Sequence, residues 1–329
     1  MVLNLSSKLI SSRSLIKWRD FPLYELSSYF LMFASVPMLA YGIKPYNSEI
    51  IRIIVFTIIT LYSGFFAALF WNDITDFDVD EIAHPNRLLP SRKIGVRNLF
   101  FIALIFSAIN FIFALLISIW CLILVCISAL FVAVHNKYLK RRVKFPAYSE
   151  IFSPLQWTVV TIFGFLAIWT ALSQSSDIFV SIQFFGNIST DRKAIITMVL
   201  LLIFTYFSDK SHDIAEGIHD AEADKKHGIR TYATSFSLKF AVKISLLMFV
   251  ISGAFGIFLY IQSILSPFFI ILFLLLFFYS LSHPLKLLKC NKKDLKEQGL
   301  VVGRKLYDYY LFTFNLIFID LLIQILFKF

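Results

Sequence analysis

Two short acidic stretches contain the residues that could do chemistry. The first reads N-D-I-T-D-F-D-V-D over residues 72–80, and the second, residues 209–224, ends in D-A-E-A-D. Together with Glu81, which directly follows the first stretch, they hold 11 of the 21 Asp and Glu residues of the chain. Carboxylates this close repel one another unless they share a cation, and hard oxygen ligands favour Mg²⁺, which also binds phosphate oxygens. The two stretches therefore predict a site for Mg²⁺ and a diphosphate.

Oxygen-bearing side chains recur every four residues in both stretches. They are Asn72, Asp76 and Asp80 in the first motif and Asp220 and Asp224 in the second. On a helix this spacing lines one face, so we predict these five side chains as metal ligands and the four aspartates as catalytic groups. Asp78 would be turned about 200° from Asp76 on the same helix and should point away.

The rest of the composition is that of a membrane protein. Hydrophobic residues make up 58% of the 329 residues and 38 are Phe, whereas soluble domains are about 45–50% apolar. A net charge of +10 would suggest nucleic acid in a soluble protein, but here the basic residues should face an anionic leaflet. The three cysteines lack a metal-type spacing, so no disulfide is expected. We predict an all-α polytopic protein with membrane lipid around it and no nucleic-acid partner.

Apolar runs predict nine membrane-spanning helices in one domain, residues 22–329, behind a cytosolic N-terminal arm, residues 1–21, without a cleavable signal. Residues 99–134 carry no charge and are too long for one crossing of the roughly 30 Å hydrocarbon core, so the chain should fold back near Ser118. The predicted spans are 23–43, 50–71, two within 99–134, 152–172, 194–207, 238–261, 267–288 and 310–327. Residues 135–150, 173–193 and 289–309 are predicted as loops.

The distribution of Lys and Arg predicts the orientation of these spans. With the N-terminus inside, the inner segments hold 26 of the 31 basic residues and the outer segments hold 5. The positive-inside rule therefore places the N-terminus and both acidic motifs on the cytosolic side.

The motifs resemble those of the UbiA superfamily of intramembrane prenyltransferases. The resemblance rests on N-D-x-x-D-x-x-x-D followed by H-P-N-R-L-L-P-S, and on D-x-E-x-D-x-x-x-G-I-R-T. It implies a helical bundle around a central cavity, in which two aspartate loops bind Mg²⁺ and a prenyl diphosphate. It also implies diphosphate-binding roles for Asn72, Arg87 and Lys140, to which we add Lys225 and Arg230.

Three positions differ from the pattern that the resemblance implies. Leu88 follows Asn86-Arg87 where N-R-P is common, Asn136 stands where a Tyr is usual, and Ala223 replaces the Gly of E-G-D. The R-T-x-x-R-P form of the 4-hydroxybenzoate branch is missing, which makes that acceptor less expected. These differences concern the acceptor and the basic ligands rather than the metal chemistry.

The implied function is Mg²⁺-dependent transfer of a prenyl group from an allylic prenyl diphosphate to a lipophilic acceptor within the membrane. An allylic cation forms as the diphosphate leaves, so the reaction needs a dry pocket whose aromatic rings tolerate positive charge. The sequence offers several candidates for its wall, among them Phe65, Phe66, Trp71, Trp157 and Phe204.

Other interpretations of these features stay open. A terpene cyclase on the same scaffold would let the substrate's own double bond attack the cation. A transporter or channel would need acids within its spans, where only Glu25 and Asp320 occur, near span ends. A CDP-alcohol phosphotransferase would need D-G-x-x-A-R, which is missing. Lys140 is explained by topology as well as by ligand binding, and the histidines of the second stretch are expected in a loop rather than on a metal.

Overall fold

The computed structural model describes residues 22–83, 85–172 and 177–327, and these are mostly helical. Nine helical segments within these ranges are long and apolar enough to cross a membrane, which confirms the predicted class and the number of spans. The predicted N-terminal arm lies outside the described residues.

The described elements are, in chain order, α1 (Leu23–Tyr41), α2 (Ser48–Thr75), α3 (Phe77–Ala83), α4 (Val96–Ile117), α5 (Ile119–Val134), α6 (Tyr148–Phe152), α7 (Leu155–Ala171), β1 (Ile178–Ile182), β2 (Gly186–Thr190), α8 (Arg192–Lys226), α9 (Tyr232–Ser235), α10 (Leu238–Gln262), α11 (Pro267–Lys289) and α12 (Leu295–Phe327). A π-helical turn, His135–Leu139, extends α5 to Arg142.

The spanning helices form a closed ring. Each packs on the next in the order α1, α2, α4, α5, α7, α8, α10, α11 and α12, and α12 packs on α1. Helices α8 and α12 also pack closely, because Gly299 and Gly303 present no side chain. A Cβ at Gly303 would lie 2.3 Å from Cγ of Glu216, so the small-xxx-small spacing on α12 is needed for this approach.

Polar side chains fix where several of these helices begin. The fold-back predicted near Ser118 occurs at that residue, which ends α4 and starts α5 by accepting a hydrogen bond from the Cys121 N–H at 3.1 Å. Asn47 and Asp191 cap α2 and α8 in the same way. Such caps satisfy backbone donors that have no partner in the first turn.

Three segments outside the predicted spans form regular secondary structure. Residues 178–190 form an antiparallel hairpin in which Ile178 pairs with Thr190, and the helix of the sixth span continues through the whole second acidic stretch to Lys226. The last helix begins at Leu295 rather than at residue 310. The bounds of the two helices were predicted wrongly because charged residues were treated as loop residues, although Glu, Lys and Ala all favour helix once a neighbouring helix supports it.

The two acids within the predicted spans have structural partners. Glu25 of α1 is buried and hydrogen-bonded to Arg304 of α12, which joins the first and last helices. Asp320 accepts a hydrogen bond from the Ser266 N–H at 3.0 Å and thereby holds the turn before α11. Both acids are thus engaged in contacts within the bundle, and neither contact favours the transporter alternative.

Candidate functional site

The first motif lies at a break between two helices. Helix α2 ends at Thr75 and α3 begins at Phe77, with Asp76 between them at φ −102° and ψ 17°. The single continuous helix predicted over residues 72–80 is therefore wrong. Aspartate has a low helix propensity, and the break places Asp78 and Asp80 in the first turn of α3, where the helix dipole favours negative charge.

The motif nevertheless has a buried and an exposed side. Asp76 and Asp80 are each 3% exposed, whereas the Asp78 side chain is 51% exposed. Asp78 accepts two hydrogen bonds from Arg141, at 2.7 and 2.8 Å, and these lower the pKa of its carboxyl group. As the spacing predicts, Asp78 points away from the side that Asp76 and Asp80 share.

Arg87 is held against the first motif by the loop that follows α3. Its guanidinium donates to Asp80 at 2.6 Å and lies 3.9 Å from Asp73, which is 1% exposed. The neighbouring Leu88 and Leu89 are buried in a small apolar cluster with α2 and α4. The Leu at position 88, which departs from the common N-R-P, therefore anchors the loop that positions Arg87.

The π-helical turn brings two polar side chains of α5 to the same place. Lys140 donates to Asp76 at 2.7 Å, and Asn136, one turn earlier, donates to the Asn72 side chain at 3.2 Å. A π-helical turn inserts an extra residue and rotates the side chains that follow it, and such turns are frequent at functional sites. Lys140 is thus a direct partner of the motif and more than a determinant of topology.

The second motif lies on the last turns of α8. Asp224 is 9% exposed and Asp220 is half-buried. The helix ends at Lys226, and Gly228 follows two residues later with a φ of +72°, which allows the Ile229 N–H to donate to the Asp224 carbonyl at 2.9 Å. This is the glycine-terminated cap that satisfies the last carbonyls of a helix, and it explains the G-I-R-T that follows the motif.

A small apolar cluster joins the two motifs. Val79, between Asp78 and Asp80, packs with Ala223 and Ile229, and all three are less than 10% exposed. Lys140 also interacts electrostatically with Asp224 and Asp80 as well as with Asp76. The Ala in place of the common Gly of E-G-D therefore contributes a methyl group to the contact that holds the motifs together.

The structure does not bring every predicted ligand to this place. Lys225 and Arg230 have exposed side chains, and in the described residues no ion pair links them to either motif. Conversely, Asp73 and Asn136 were not predicted as site residues. The sequence could have indicated Asn136, because it precedes Lys140 by one helical turn. It could not have indicated Asp73, which falls outside the four-residue spacing of the motif.

Five aromatic side chains from four helices lie together in the bundle. Ring centroids are 4.5 Å apart between Tyr29 and Phe65, 5.4 Å between Phe65 and Trp157, and 5.8 Å between Trp157 and Tyr310. The fifth, Tyr307, hydrogen-bonds Tyr29 at 2.6 Å. Phe65 and Trp157 were predicted as pocket residues and belong to this cluster.

The other three aromatic residues predicted for the pocket wall lie in different places. Phe66 lies next to the cluster, 5.4 Å from Phe65. Trp71 hydrogen-bonds Ser107 of α4 at 3.0 Å, and Phe204 packs among rings of α11 and α12. The candidate aromatic wall is therefore smaller than the set that the sequence offered.

His212 and His219 are on helix α8 and not in a loop, so the prediction of loop histidines is wrong for them. His212 is 8% exposed, and its Nε2 lies 2.9 Å from the Asp209 carboxylate. His227 directly follows α8, and its Nδ1 forms a hydrogen bond with the Ala223 carbonyl. The residue type alone could not reveal the burial of His212.

The donor atoms of the two motifs fit Mg²⁺. They are carboxylate and amide oxygens, which this ion prefers, and Arg87 and Lys140 beside them suit the phosphate oxygens that Mg²⁺ usually carries. Without such a ligand, Arg87 and Lys140 neutralise Asp80 and Asp76 directly. The arrangement can therefore exchange internal ion pairs for a bound metal diphosphate.

Comparison with known protein families gives one match over most of the chain. The model of the UbiA prenyltransferase family matches residues 30–306. Among curated proteins, a digeranylgeranylglyceryl phosphate synthase of Methanosphaera stadtmanae is 27% identical over 212 residues, which is 64% of this chain and 68% of that protein. Matches to three further synthases of that name cover 51–58% of those proteins, so the chain spans little more than half their length.

Solved structures share the fold. An apo UbiA homolog from Aeropyrum pernix K1 superposes with a TM-score of 0.64 at 17% identity, covering 88% of this chain and 98% of that one. A UbiA homolog from Archaeoglobus fulgidus bound to DMAPP and Mg²⁺ has a TM-score of 0.52 at 14% identity, covering 89% and 97%. The described bundle therefore has the same fold as these proteins.

Proposed function

This chain belongs to the UbiA prenyltransferase family, and on that premise we propose that its two aspartate motifs together bind Mg²⁺ and an allylic prenyl diphosphate. The protein is an integral membrane prenyltransferase, which transfers a prenyl group from such a diphosphate to a lipophilic acceptor. The proposed metal ligands are Asn72, Asp76, Asp80, Asp220 and Asp224, of which the aspartates are the proposed catalytic groups.

The observation that carries this proposal is the position of Lys140. Its ammonium group is 2.7 Å from Asp76 and interacts electrostatically with Asp224, so one cation faces carboxylates of both motifs. Arg87 donates a hydrogen bond to Asp80 of the first motif in the same way. Both cations are thus available to donate hydrogen bonds to the departing diphosphate, whose charge grows as the allylic bond breaks. Mg²⁺, when bound, supplies further positive charge to those oxygens.

The aromatic cluster supports the step in which the allylic cation forms and reacts with the acceptor. Tyr29, Phe65 and Trp157 are packed ring against ring, and such a surface excludes water while offering its negative faces to an allylic cation. We place the prenyl chain along this cluster and the acceptor beside it. Lys225 and Arg230, both exposed, are proposed only as outer contacts of the diphosphate.

The names of the relatives suggest which acceptor to test first. Proteins 22–28% identical to this chain are called digeranylgeranylglyceryl phosphate synthases, so we propose a prenylated glyceryl phosphate as the acceptor class. Purified chain in lipid nanodiscs would be incubated with prenyl diphosphates of several lengths and Mg²⁺, with prenylated glyceryl phosphate or aromatic acceptors, and the products identified by mass spectrometry.

The expected product contains prenyl group and acceptor together, and forms only when Mg²⁺ is present. A cyclic hydrocarbon released from the diphosphate alone would instead identify a terpene cyclase. Full turnover in excess chelator would refute the metal assignment, and transfer only to an aromatic acceptor would refute the glyceryl phosphate class.

We also propose that both motifs face the cytosol. This rests on the excess of basic residues at that end of the bundle. A reporter inserted after Pro146 should be cytosolic and one near Ser181, in β1 of the hairpin, should be external. The opposite pair of results would invert the topology, and the same side for both would contradict the nine-span arrangement.

A further inference from the structure

A second group of potential metal ligands lies on α8, deeper in the bundle than the aspartate motifs. The Nε2 atom of His212 is 2.9 Å from a carboxylate oxygen of Asp209 and 3.6 Å from one of Asp213. One ligand atom from each of the three residues lies within 4.8 Å of the others. The spacing i, i+3, i+4 places all three on one face of the helix.

This group cannot share an ion with the second motif. Asp213 and Asp220 are seven residues apart on one uninterrupted helix, which corresponds to about 10 Å along its axis. Bonds from Mg²⁺ to oxygen are only about 2 Å long. An ion bound at Asp209, His212 and Asp213 would therefore be separate from one bound at Asp220 and Asp224.

Burying these ionisable side chains costs free energy unless a cation is bound among them. Asp209 is 1% exposed, and its second carboxylate oxygen has no hydrogen-bond partner in the described part of the chain; the same holds for Nδ1 of His212. A buried ionised carboxylate is tolerated when it is paired or coordinates a metal. The unpartnered oxygen of Asp209 is thus a second observation, independent of the cluster itself, that points to a ligand.

Neighbouring basic groups compensate this charge only in part. Arg304 of α12 interacts electrostatically with Glu216, the next acid on this face, but its guanidinium is hydrogen-bonded to Glu25 of α1. Lys210 lies on another face of α8, with its ammonium 5.3 Å from the ring of Tyr206. His212 is consequently the basic group that Asp209 contacts directly.

We propose that Asp209, His212 and Asp213 bind one first-row transition-metal dication of the Mn²⁺ or Zn²⁺ class. An imidazole nitrogen among carboxylate oxygens favours these ions over Mg²⁺, which prefers oxygen ligands alone. Tyr307, whose ring centroid is 4.6 Å from that of His212, and the close approach of α12 at Gly303 enclose the site. The site goes beyond the proposed transfer reaction and does not depend on it.

Co²⁺ is a suitable probe because its visible absorption reports its ligands. Full-length protein in nanodiscs would be stripped with chelator, saturated with Mg²⁺ to fill the oxygen sites, and dialysed against Co²⁺, with bound metal counted by mass spectrometry. We expect one Co²⁺ per chain, and the same amount in the Asp76→Asn, Asp224→Asn double variant. Because that variant should lose prenyl transfer, retained Co²⁺ binding distinguishes this site from the proposed active site.

Single variants test the ligands. His212→Gln and Asp209→Asn should weaken Co²⁺ binding by at least about tenfold, whereas His283→Gln on α11, which removes a histidine elsewhere, should leave it unchanged. His212→Cys should bind Co²⁺ and add a sulfur-to-metal absorption band in the near ultraviolet, a signal that a misfolded protein would not give. Equal Co²⁺ binding by His212→Gln and His283→Gln, or no Co²⁺ bound in the presence of Mg²⁺, would overturn the proposal and leave His212 and Asp209 as an internal ion pair.

Discussion

Asp76 and Asp78 are two residues apart, and replacing each by Asn distinguishes a positioned site from an acidic surface. The Asp76 side chain is 5% exposed and bonded to Lys140, whereas that of Asp78 is 51% exposed and bonded to Arg141. Both substitutions remove one negative charge and keep the size of the side chain. A surface that is merely acidic would respond equally to both, while a positioned site would respond to one.

The structure sets the expected magnitudes. The Asp78 pair is at the surface, where ion pairs contribute up to about 1 kcal/mol, so Asp78→Asn should lower turnover by no more than about fivefold. Asp76 faces the place where the diphosphate charge grows. Losing one preorganised group at such a place costs about 10²–10³ in turnover, and we expect that loss for Asp76→Asn.

The assay is release of diphosphate from a prenyl diphosphate, measured in nanodiscs at saturating Mg²⁺. Because Asp76→Asn also leaves Lys140 without its partner, thermal unfolding of both variants must be compared with the parent. Adding Lys140→Gln to Asp76→Asn should restore stability and leave turnover low. Equal losses at the two positions in stably folded proteins would show that the distinction between the buried and exposed sides of the motif has no functional meaning.

Three further outcomes follow from the described contacts. Mg²⁺ and an unreactive diphosphate analogue should bind cooperatively in calorimetry, each raising the affinity of the other about 5- to 150-fold, because either alone leaves half of the motif's ion pairs without a partner. Val79→Ala should lower the free energy of unfolding by roughly 1–2 kcal/mol and raise KM for the prenyl diphosphate, since it loosens the contact between the motifs, whereas Val96→Ala, at an exposed position, should do neither. Gly228→Ala should cost about 1–2 kcal/mol in chemical unfolding because of its positive φ, and Gly95→Ala, at φ −83°, should cost little.

The sequence was sufficient for the features that depend on hydrophobic length and local spacing. Nine spans and the turn at Ser118 follow from apolar runs measured against the thickness of a bilayer. The exposure of Asp78 and the burial of Asp76 follow from helical periodicity, which survives the break at Asp76 because the backbone hydrogen bond from Asp76 to Asn72 is kept at 2.8 Å. Hydrophobic length and helical periodicity depend only on residues close together in the chain, so the sequence was enough to predict these features.

The remaining features depend on contacts between distant segments. Arg87 is positioned by Leu88 and Leu89 packing on α2 and α4, and no pattern near Arg87 indicates those partners. The burial of His212 depends on the approach of α12, almost a hundred residues later in the chain. A residue type and its spacing define what a side chain can do, but the packing of another helix decides whether water reaches it.

The uninterrupted helix α8 also determines which part of the site can move. Its 35 residues extend about 52 Å from the hairpin to the end of the second motif, far beyond the roughly 30 Å hydrocarbon core. Within the hydrocarbon core, bending α8 would break main-chain hydrogen bonds that lipid cannot replace. The first motif, in contrast, lies at a joint between two helices and precedes a loop. We expect closure around a substrate to move the first motif against α8 rather than to bend α8.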